Sequence, residues 1–273
     1  MVHVVNSANS NAGKLFMASV DKACASGAGD MERVAFDCEG VKLSRSGSLE
    51  LICICFSQNS DVFLIDTGGK APDLEVVRAV KQLFEHRDVV KIIHDCRMDS
   101  DALFHIHGIK LENVHDTSCF HDELSGCEDS KNLNHVLNHN GLGQNNHRDV
   151  DEYRTNKAFW GTRPLTQKMI DWASSDVSGL MQLATRQLAR IGISTKARAL
   201  AKSQKYASFG QDMKLASGLT VNNTGKFIGR RGANIKMLKR ITNTLIREDG
   251  ETWRVYYTDS NALATVKRSM NNY

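Results

Sequence analysis

The sequence predicts an α/β protein, a mixed sheet flanked by helices, followed by a smaller α+β unit. Three observations predict it. Strand-like runs stand in a row at 33–38, 49–57 and 62–66, a meander that implies antiparallel pairing. Helical and strand periods then alternate to about residue 192, the pattern of a mixed sheet covered by helices. The charge also divides. Residues 196–273 hold 15 Lys+Arg against 5 Asp+Glu, about +10, while residues 1–195 hold 20 against 26, about −6. Such asymmetry separates two domains and directs the second toward a polyanion; a basic solubilising tail is the other reading.

The elements follow in order. Residues 2–5 read as a short strand, 11–24 as a helix and 26–30 as a turn. Gly47 and Asn59-Ser60 sit in the connections of the meander, as turn residues should. Residues 73–84 alternate apolar and polar side chains at helical spacing; 89–93 is a strand, 100–107 a helix and 114–117 a short extended piece. Helical patterns over 131–138, 149–158 and 166–191 complete a domain spanning 1–195. A basic helical linker covers 196–212, and a compact unit occupies 213–273.

Composition narrows the setting. A hydrophobic content of 41% with 24% charge suits a soluble globular protein, and the longest apolar runs are too short to cross a bilayer, so no membrane partner is expected. The first residues lack a basic-then-apolar signal pattern, although their poverty in acids leaves an organelle open. Seven cysteines without a Cys-x-x-Cys pair point to reduced thiols and an intracellular, cytoplasmic or nuclear, location. Cys53 and Cys55 read as core residues.

The chemistry begins at Val34-Ala35-Phe36-Asp37-Cys38-Glu39-Gly40. On a strand, Asp37 and Glu39 project from one face. Two acids side by side call for a cation, and a hard divalent metal bound through oxygen is the usual solution; a strand end in solvent is the alternative. Asp99 falls in the opening turn of the helix after 89–93, where a helix dipole alone would also favour it. Ile170, Ala173, Val177 and Leu180 form an apolar stripe with Asp176 at its edge. Trp172 precedes Asp176 by four residues, hence one turn away on the same flank. Asp95 and Asp171 read as solvated acids. Asp116 reads as a helix cap, Arg163 and Lys157 as phosphate contacts or plain surface, and His135 with His139 as exposed histidines on one helix face.

Phe36-Asp37-Cys38-Glu39-Gly40, then His94 and Asp99, then Trp172 and Asp176, resemble in order and spacing the three motifs of the DEDD 3′–5′ exonuclease superfamily. Asp37-Cys38-Glu39-Gly40-Val41, Ile93-His94-Asp95-Cys96-Arg97 and Thr162-Arg163-Pro164-Leu165-Thr166 place the likeness in the ribonuclease D and Egalitarian-like branch. The resemblance covers residues 1–192. It implies a ribonuclease-H-like fold and phosphodiester hydrolysis with two divalent cations, Mg²⁺ or Mn²⁺, about 3.5–4 Å apart. In that scheme Asp37 bridges both ions, Glu39 and Asp176 complete one site, and Asp99 holds the other through water. The family's tyrosine four residues before the last aspartate is Trp172 here. Indole donates one N–H and accepts nothing, whereas phenol does both. Either the tyrosine role is dispensable, a neighbour such as His94 contributes, or turnover is low. For Trp172 the other reading is packing, and for His94 it is support of the backbone.

In the basic unit a strand at 215–221 precedes Asn222-Asn223-Thr224-Gly225-Lys226-Phe227-Ile228-Gly229-Arg230-Arg231-Gly232-Ala233-Asn234-Ile235. Ile235, Leu238 and Ile241 mark a helix; strands at 245–247 and 252–257 flank Asp249-Gly250, and 261–270 is a final helix. The arrangement resembles a type I KH domain, in βααββα order, over 213–273. The resemblance implies that Gly229 and Gly232 bring backbone close to phosphates while Arg230 and Arg231 supply charge. A groove lined by Asn222, Lys226, Ile228, Asn234, Ile235 and the second strand would hold about four nucleotides of single-stranded RNA. Protein contact is the other use of such a fold. The combined reading is a metal-dependent 3′–5′ exoribonuclease fed by a KH domain. The alternatives are an RNA-binding adaptor on a weak or inactive nuclease scaffold, and a nuclease acting on DNA.

Overall fold

The computed structural model describes residues 1–25, 32–57, 61–68, 72–126 and 132–273, which fall into two compact units, Met1–Gly210 and Gln211–Tyr273. The turn expected at 26–30, the Asn59-Ser60 connection and Lys131 lie outside the described residues.

In the first unit β1 (Val2–Val5) and α1 (Asn11–Ala25) precede the meander of β2 (Arg33–Glu39), β3 (Leu51–Phe56) and β4 (Val62–Asp66). Then come α2 (Leu74–Glu85), β5 (Val90–Ile93), α3 (Arg97–His107) and β6 (Val114–Asp116). The sheet runs β1-β4-β3-β2-β5-β6. β3 is antiparallel to both neighbours, and the remaining pairs are parallel, giving the expected mixed sheet. α4 (Thr117–Ser125), α5 (Leu133–His139) and α6 (Val150–Thr155) lead to the long α7 (Gln167–Arg190).

The two sheet faces feed two cores. Val34, Phe36 and Cys38 pack with Phe16, Val80 and Leu103 from α1, α2 and α3. Ala35, Cys53 and Cys55 pack with Leu133, Ala173 and Val177 from α5 and α7. Because a strand alternates faces at every residue, Asp37 and Glu39 share the α7 face with Ala35.

Residues 196–212 are not a free linker. α8 (Ile193–Ala207) packs into the first unit through buried Ala199, Ser203 and Ala207. Ser203 Oγ accepts the Asp116 N–H at 3.2 Å, and Lys202 pairs with Asp122 at 2.6 Å. Small residues every four positions make one face of this helix fit closely. Its basic residues lie around that face and hide it from a reading of composition. A short helix, α9 (Phe209–Asp212), follows.

In the second unit β7 (Lys214–Leu219), α10 (Thr224–Ile228), α11 (Ala233–Thr242), β8 (Leu245–Asp249), β9 (Thr252–Tyr257) and α12 (Ser260–Asn271) give the order βααββα. An antiparallel sheet in the order β7-β9-β8 contributes Ile246, Trp253 and Val255 to a core closed by Phe227, Leu238 and Val266 from the three helices.

Candidate active site

β2 pairs with β3 as far as Glu39, but its parallel pairing with β5 stops at Ala35. Beyond that point β5 gives way to α3, and Asp99 Oδ1 accepts the Cys38 N–H at 3.0 Å in place of a strand. Asp99 is thus fixed in the first turn of α3, buried beside Asp37 and Glu39. The entry to α3 is built on Asp116. Its buried carboxylate accepts the N–H groups of Asp95 (3.0 Å) and Cys96 (2.8 Å), while Asp95 takes a left-handed φ of 59°. The same carboxylate accepts the N–H and hydroxyl of Ser118, at 2.9 and 2.6 Å, and so caps α4 as expected.

Asp176, from α7, is fully buried and wrapped in donors. Oδ1 accepts from Asn145 Nδ2 (2.7 Å) and Arg148 Nε (2.8 Å). Oδ2 accepts from Arg148 Nη2 (2.7 Å) and Trp172 Nε1 (3.0 Å). The indole N–H is therefore committed to Asp176, and the ring packs against Phe159 and Trp160 at centroid distances of 5.6 and 5.5 Å. Packing and positioning of Asp176 are one role.

Asp37, Glu39 and Asp176 each place a carboxylate oxygen within 4.8 Å of the others, an all-oxygen donor set that fits a hard divalent cation. Burial, then the fields of Asp99 and Asp176, pushes the Asp37 carboxyl well above its ordinary range. Burial, then Asp37 and Asp176, does the same to Glu39. Burial pushes Asp99 up to about 7. Crowded acids behave this way until a cation joins them. Arg148 is one cation already present. Burial works against its charge, but its hydrogen bonds to Asp176 and the fields of Asp176, Asp37 and Glu39 outweigh that and raise its pKa.

A cleft of about 390 Å³ opens on Asp37, His94, Asp95, Leu133 and Arg148. His94 Nδ1 lies 2.9 Å from the Thr117 hydroxyl, which is also 3.1 Å from the Ile93 carbonyl, so the ring is tied to the start of α4 and the end of β5. Asp95, read from the sequence as a solvated acid, lines this cleft and takes both Nε and Nη2 of Arg97, at 2.5 and 2.8 Å. Asp171 is half-buried and accepts from Gln167 at 2.9 Å. Arg163 is engaged within the fold: its guanidinium grips both oxygens of Asp66, at 2.6–3.0 Å, and the Glu50 carbonyl at 2.9 Å. Lys157 is exposed. His135 and His139 are exposed and stand 6.1 and 5.1 Å, centroid to centroid, from the buried His121 ring. Arg148 and Asn145 escaped the sequence reading. They lie in a polar stretch with no periodicity, where the sole signal was an arginine between acids and amides.

In the second unit Gly229 and Gly232 have φ of 74° and 76°, and Arg231 between them has 53°. A Cβ on Gly229 would stand 2.6 Å from Asn234 Cγ. Asn234 was expected to face RNA; its amide instead donates to the Lys226 carbonyl at 2.8 Å and closes the loop. Ile235 is a core residue, and Ile228 packs partly against the same core. Lys226, Arg230 and Arg231 are exposed, as is Asn222.

The family pattern of a 3′–5′ exonuclease matches residues 19–190. Among relatives, the chain is 38% identical over 85 residues to the piRNA biogenesis protein EXD1 of Mus musculus, covering 29% of this chain and 13% of that protein. It is 28% identical over 167 residues to the Xenopus laevis EXD1, covering 55% and 36%. The matched part is thus a minor share of those relatives. Among solved structures, ribonuclease D of Trypanosoma brucei superposes with a TM-score of 0.61 at 22% identity, over 77% of this chain and 72% of that one. Ribonuclease D of Escherichia coli does so with 0.58 at 20%, over 77% and 51%. These show that the mixed sheet and its helices have the ribonuclease D exonuclease fold. With 19–190 matched and the carboxylates of all three motifs gathered at one sheet end, the chain belongs to the 3′–5′ exonuclease family.

Proposed function

We propose that this chain is a metal-dependent 3′–5′ exoribonuclease whose C-terminal unit, a KH domain, engages single-stranded RNA. The observation that carries the reading is the convergence of Asp37, Glu39 and Asp176 on one face, with Asp99 beside them. Those four residues would hold two divalent cations, Mg²⁺ or Mn²⁺. When bound, such a pair supplies charge neutralisation of the phosphate and activation of the attacking water. Trp172 and Asn145 hold the Asp176 carboxylate in orientation through their N–H groups. His94 lines the cleft beside Asp37, where its imidazole can contact a bound substrate or water. In the C-terminal unit the exposed Lys226, Arg230 and Arg231 surround a backbone turn that two positive-φ glycines make narrow, a surface suited to a sugar–phosphate chain. The described cysteines are free, in keeping with a reducing, intracellular location. Among the described residues no helix is long and apolar enough to cross a membrane.

One observation favours a second reading, an RNA-binding adaptor with little turnover: the indole at the family's tyrosine position donates inward to Asp176 and offers no acceptor to a water. The test is incubation with 5′-labelled single-stranded RNA or DNA under Mn²⁺, Mg²⁺ or EDTA, beside Asp37→Ala. A metal-dependent ladder on RNA that disappears in the variant supports the nuclease. Tight RNA binding with no ladder supports the adaptor, and a ladder on DNA alone moves the substrate. For the KH domain, Gly232→Asp is the sharper probe, because a Cβ there meets only Lys236 Cε at 3.8 Å and Ile235 Cγ2 at 3.9 Å, whereas one on Gly229 strikes Asn234; RNA affinity should fall, and a thermal melt separates that loss from the strain of a side chain at φ 76°.

A further inference from the structure

Arg148 holds Asp176 by two parallel N–H contacts, with Nε at 2.8 Å from Oδ1 and Nη2 at 2.7 Å from Oδ2. With Asn145 and Trp172 on the same carboxylate, each Asp176 oxygen already accepts at least two donors, Oδ2 a third from Arg148 Nε at 3.0 Å. A carboxylate in that state has little lone-pair capacity left for a metal. Yet its oxygen lies in the same 4.8 Å cluster as those of Asp37 and Glu39. The guanidinium and a divalent cation therefore call on one group of oxygens, and each would repel the other.

We propose that Arg148 competes with the divalent cation for Asp176, so that cation uptake requires Arg148 to swing away. The inference rests on the metal-binding reading of the acid cluster given above. The surroundings provide a second resting place. Arg148 lines both the 390 Å³ cleft with Asp37 and a 650 Å³ cavity whose walls carry Asp149, Asp151 and Asp171 together with one competing cation, Lys168, paired to Asp149 at 2.8 Å. Three carboxylates against one lysine leave that wall net acidic, so a guanidinium leaving Asp176 has acids to meet and stays at the rim of the cleft, where it faces an incoming phosphate. Arg148 is on this view a positioning residue that sets how readily the site loads.

The test is Mn²⁺ titration of the full chain, followed by electron paramagnetic resonance and calorimetry, for the natural sequence, Arg148→Gln and Arg148→Lys. Arg148→Gln should bind Mn²⁺ about tenfold or more tighter, the scale on which residues around metal ligands alter affinity. Arg148→Lys keeps the charge without the fork and should fall between. Should Arg148→Gln not fold, the lysine variant alone must still tighten binding, and Mn²⁺ must raise its melting temperature more than that of the natural chain. Equal or weaker Mn²⁺ binding in the variants overturns the proposal and makes Arg148 a plain orienter of Asp176. Tighter Mn²⁺ binding without any RNA cleavage upholds the competition and sinks the exonuclease reading. No Mn²⁺ uptake by any of the three overturns both.

Discussion

Replacing Trp172 by tyrosine restores the residue that the family's third motif carries and tests two consequences at once. The indole N–H to Asp176 at 3.0 Å would be lost, and a hydrogen bond to a charged group contributes about 1.5–3 kcal/mol. Asp176 keeps Asn145 and Arg148, so the carboxylate is not left bare and the cost lies toward the lower end. The smaller ring also leaves space beside Phe159 and Trp160, which adds about 1 kcal/mol. The expected sum is a loss of about 2–3 kcal/mol, read as a lower midpoint in urea denaturation at constant slope. In exchange, a hydroxyl able to donate and accept enters the site, and the Mn²⁺-dependent rate on 5′-labelled RNA should rise. A midpoint shift worth less than about 0.5 kcal/mol would refute the weight placed on the indole bond. An unchanged cleavage rate in a folded variant would refute the view that Trp172 limits turnover.

Asp116→Ala should cost about 3 kcal/mol or more, because buried N–H groups of Asp95, Cys96 and Ser118 lose their acceptor together; urea denaturation measures this, and Mn²⁺ affinity should fall as Asp99 loses its footing. Lys91 is fully buried with its ammonium on the His86 and Val89 carbonyls, and burial lowers its pKa from 10.5 to about 7. Its folded form thus holds fewer protons than the unfolded chain between those values, so this contribution is complete above 10.5 and lost as pH falls through about 7. Lys91→Met should flatten that dependence and raise the melting temperature at pH 6, near which a scan on the natural chain should show the lower value. Gly229→Ala should destabilise the C-terminal unit by about 1–3 kcal/mol, since its Cβ would strike Asn234 and its φ is 74°, whereas Gly232→Ala carries the same backbone strain but only ordinary contacts at 3.8 and 3.9 Å and should cost less; thermal melts of the two variants give the comparison.

The sheet, its antiparallel meander and the shared face of Asp37 and Glu39 were legible because period-2 alternation is written residue by residue from Val34 to Glu39. Asp99 and Asp176 were legible through motif order. What surrounds them was not. Asp116 looked like one helix cap, since nothing local reveals that its second oxygen reaches back 20 positions to Cys96. Arg148 and Asn145 meet Asp176 across 28 and 31 residues, a separation that no local spacing encodes. Asp95 looked solvated because acids usually are, yet a left-handed backbone and Arg97 turn it into the cleft. The docking of α8 was masked by its lysines and arginines, while the small residues that seat it carry almost no hydropathy signal.

The place where β5 stops pairing with β2 has a spectroscopic consequence. The Cys38 amide proton, which a neighbouring strand would otherwise hold, is held by a carboxylate of the candidate site. Its chemical shift and its exchange with solvent deuterium depend on the electron density left on Asp99 Oδ1. One backbone resonance, assigned by ¹⁵N labelling, therefore reports on the ionisation and ligation of the acids without any substitution in them. A diamagnetic Mg²⁺ titration followed at that single cross-peak gives an occupancy curve, independent of whether a nucleic acid is ever cleaved.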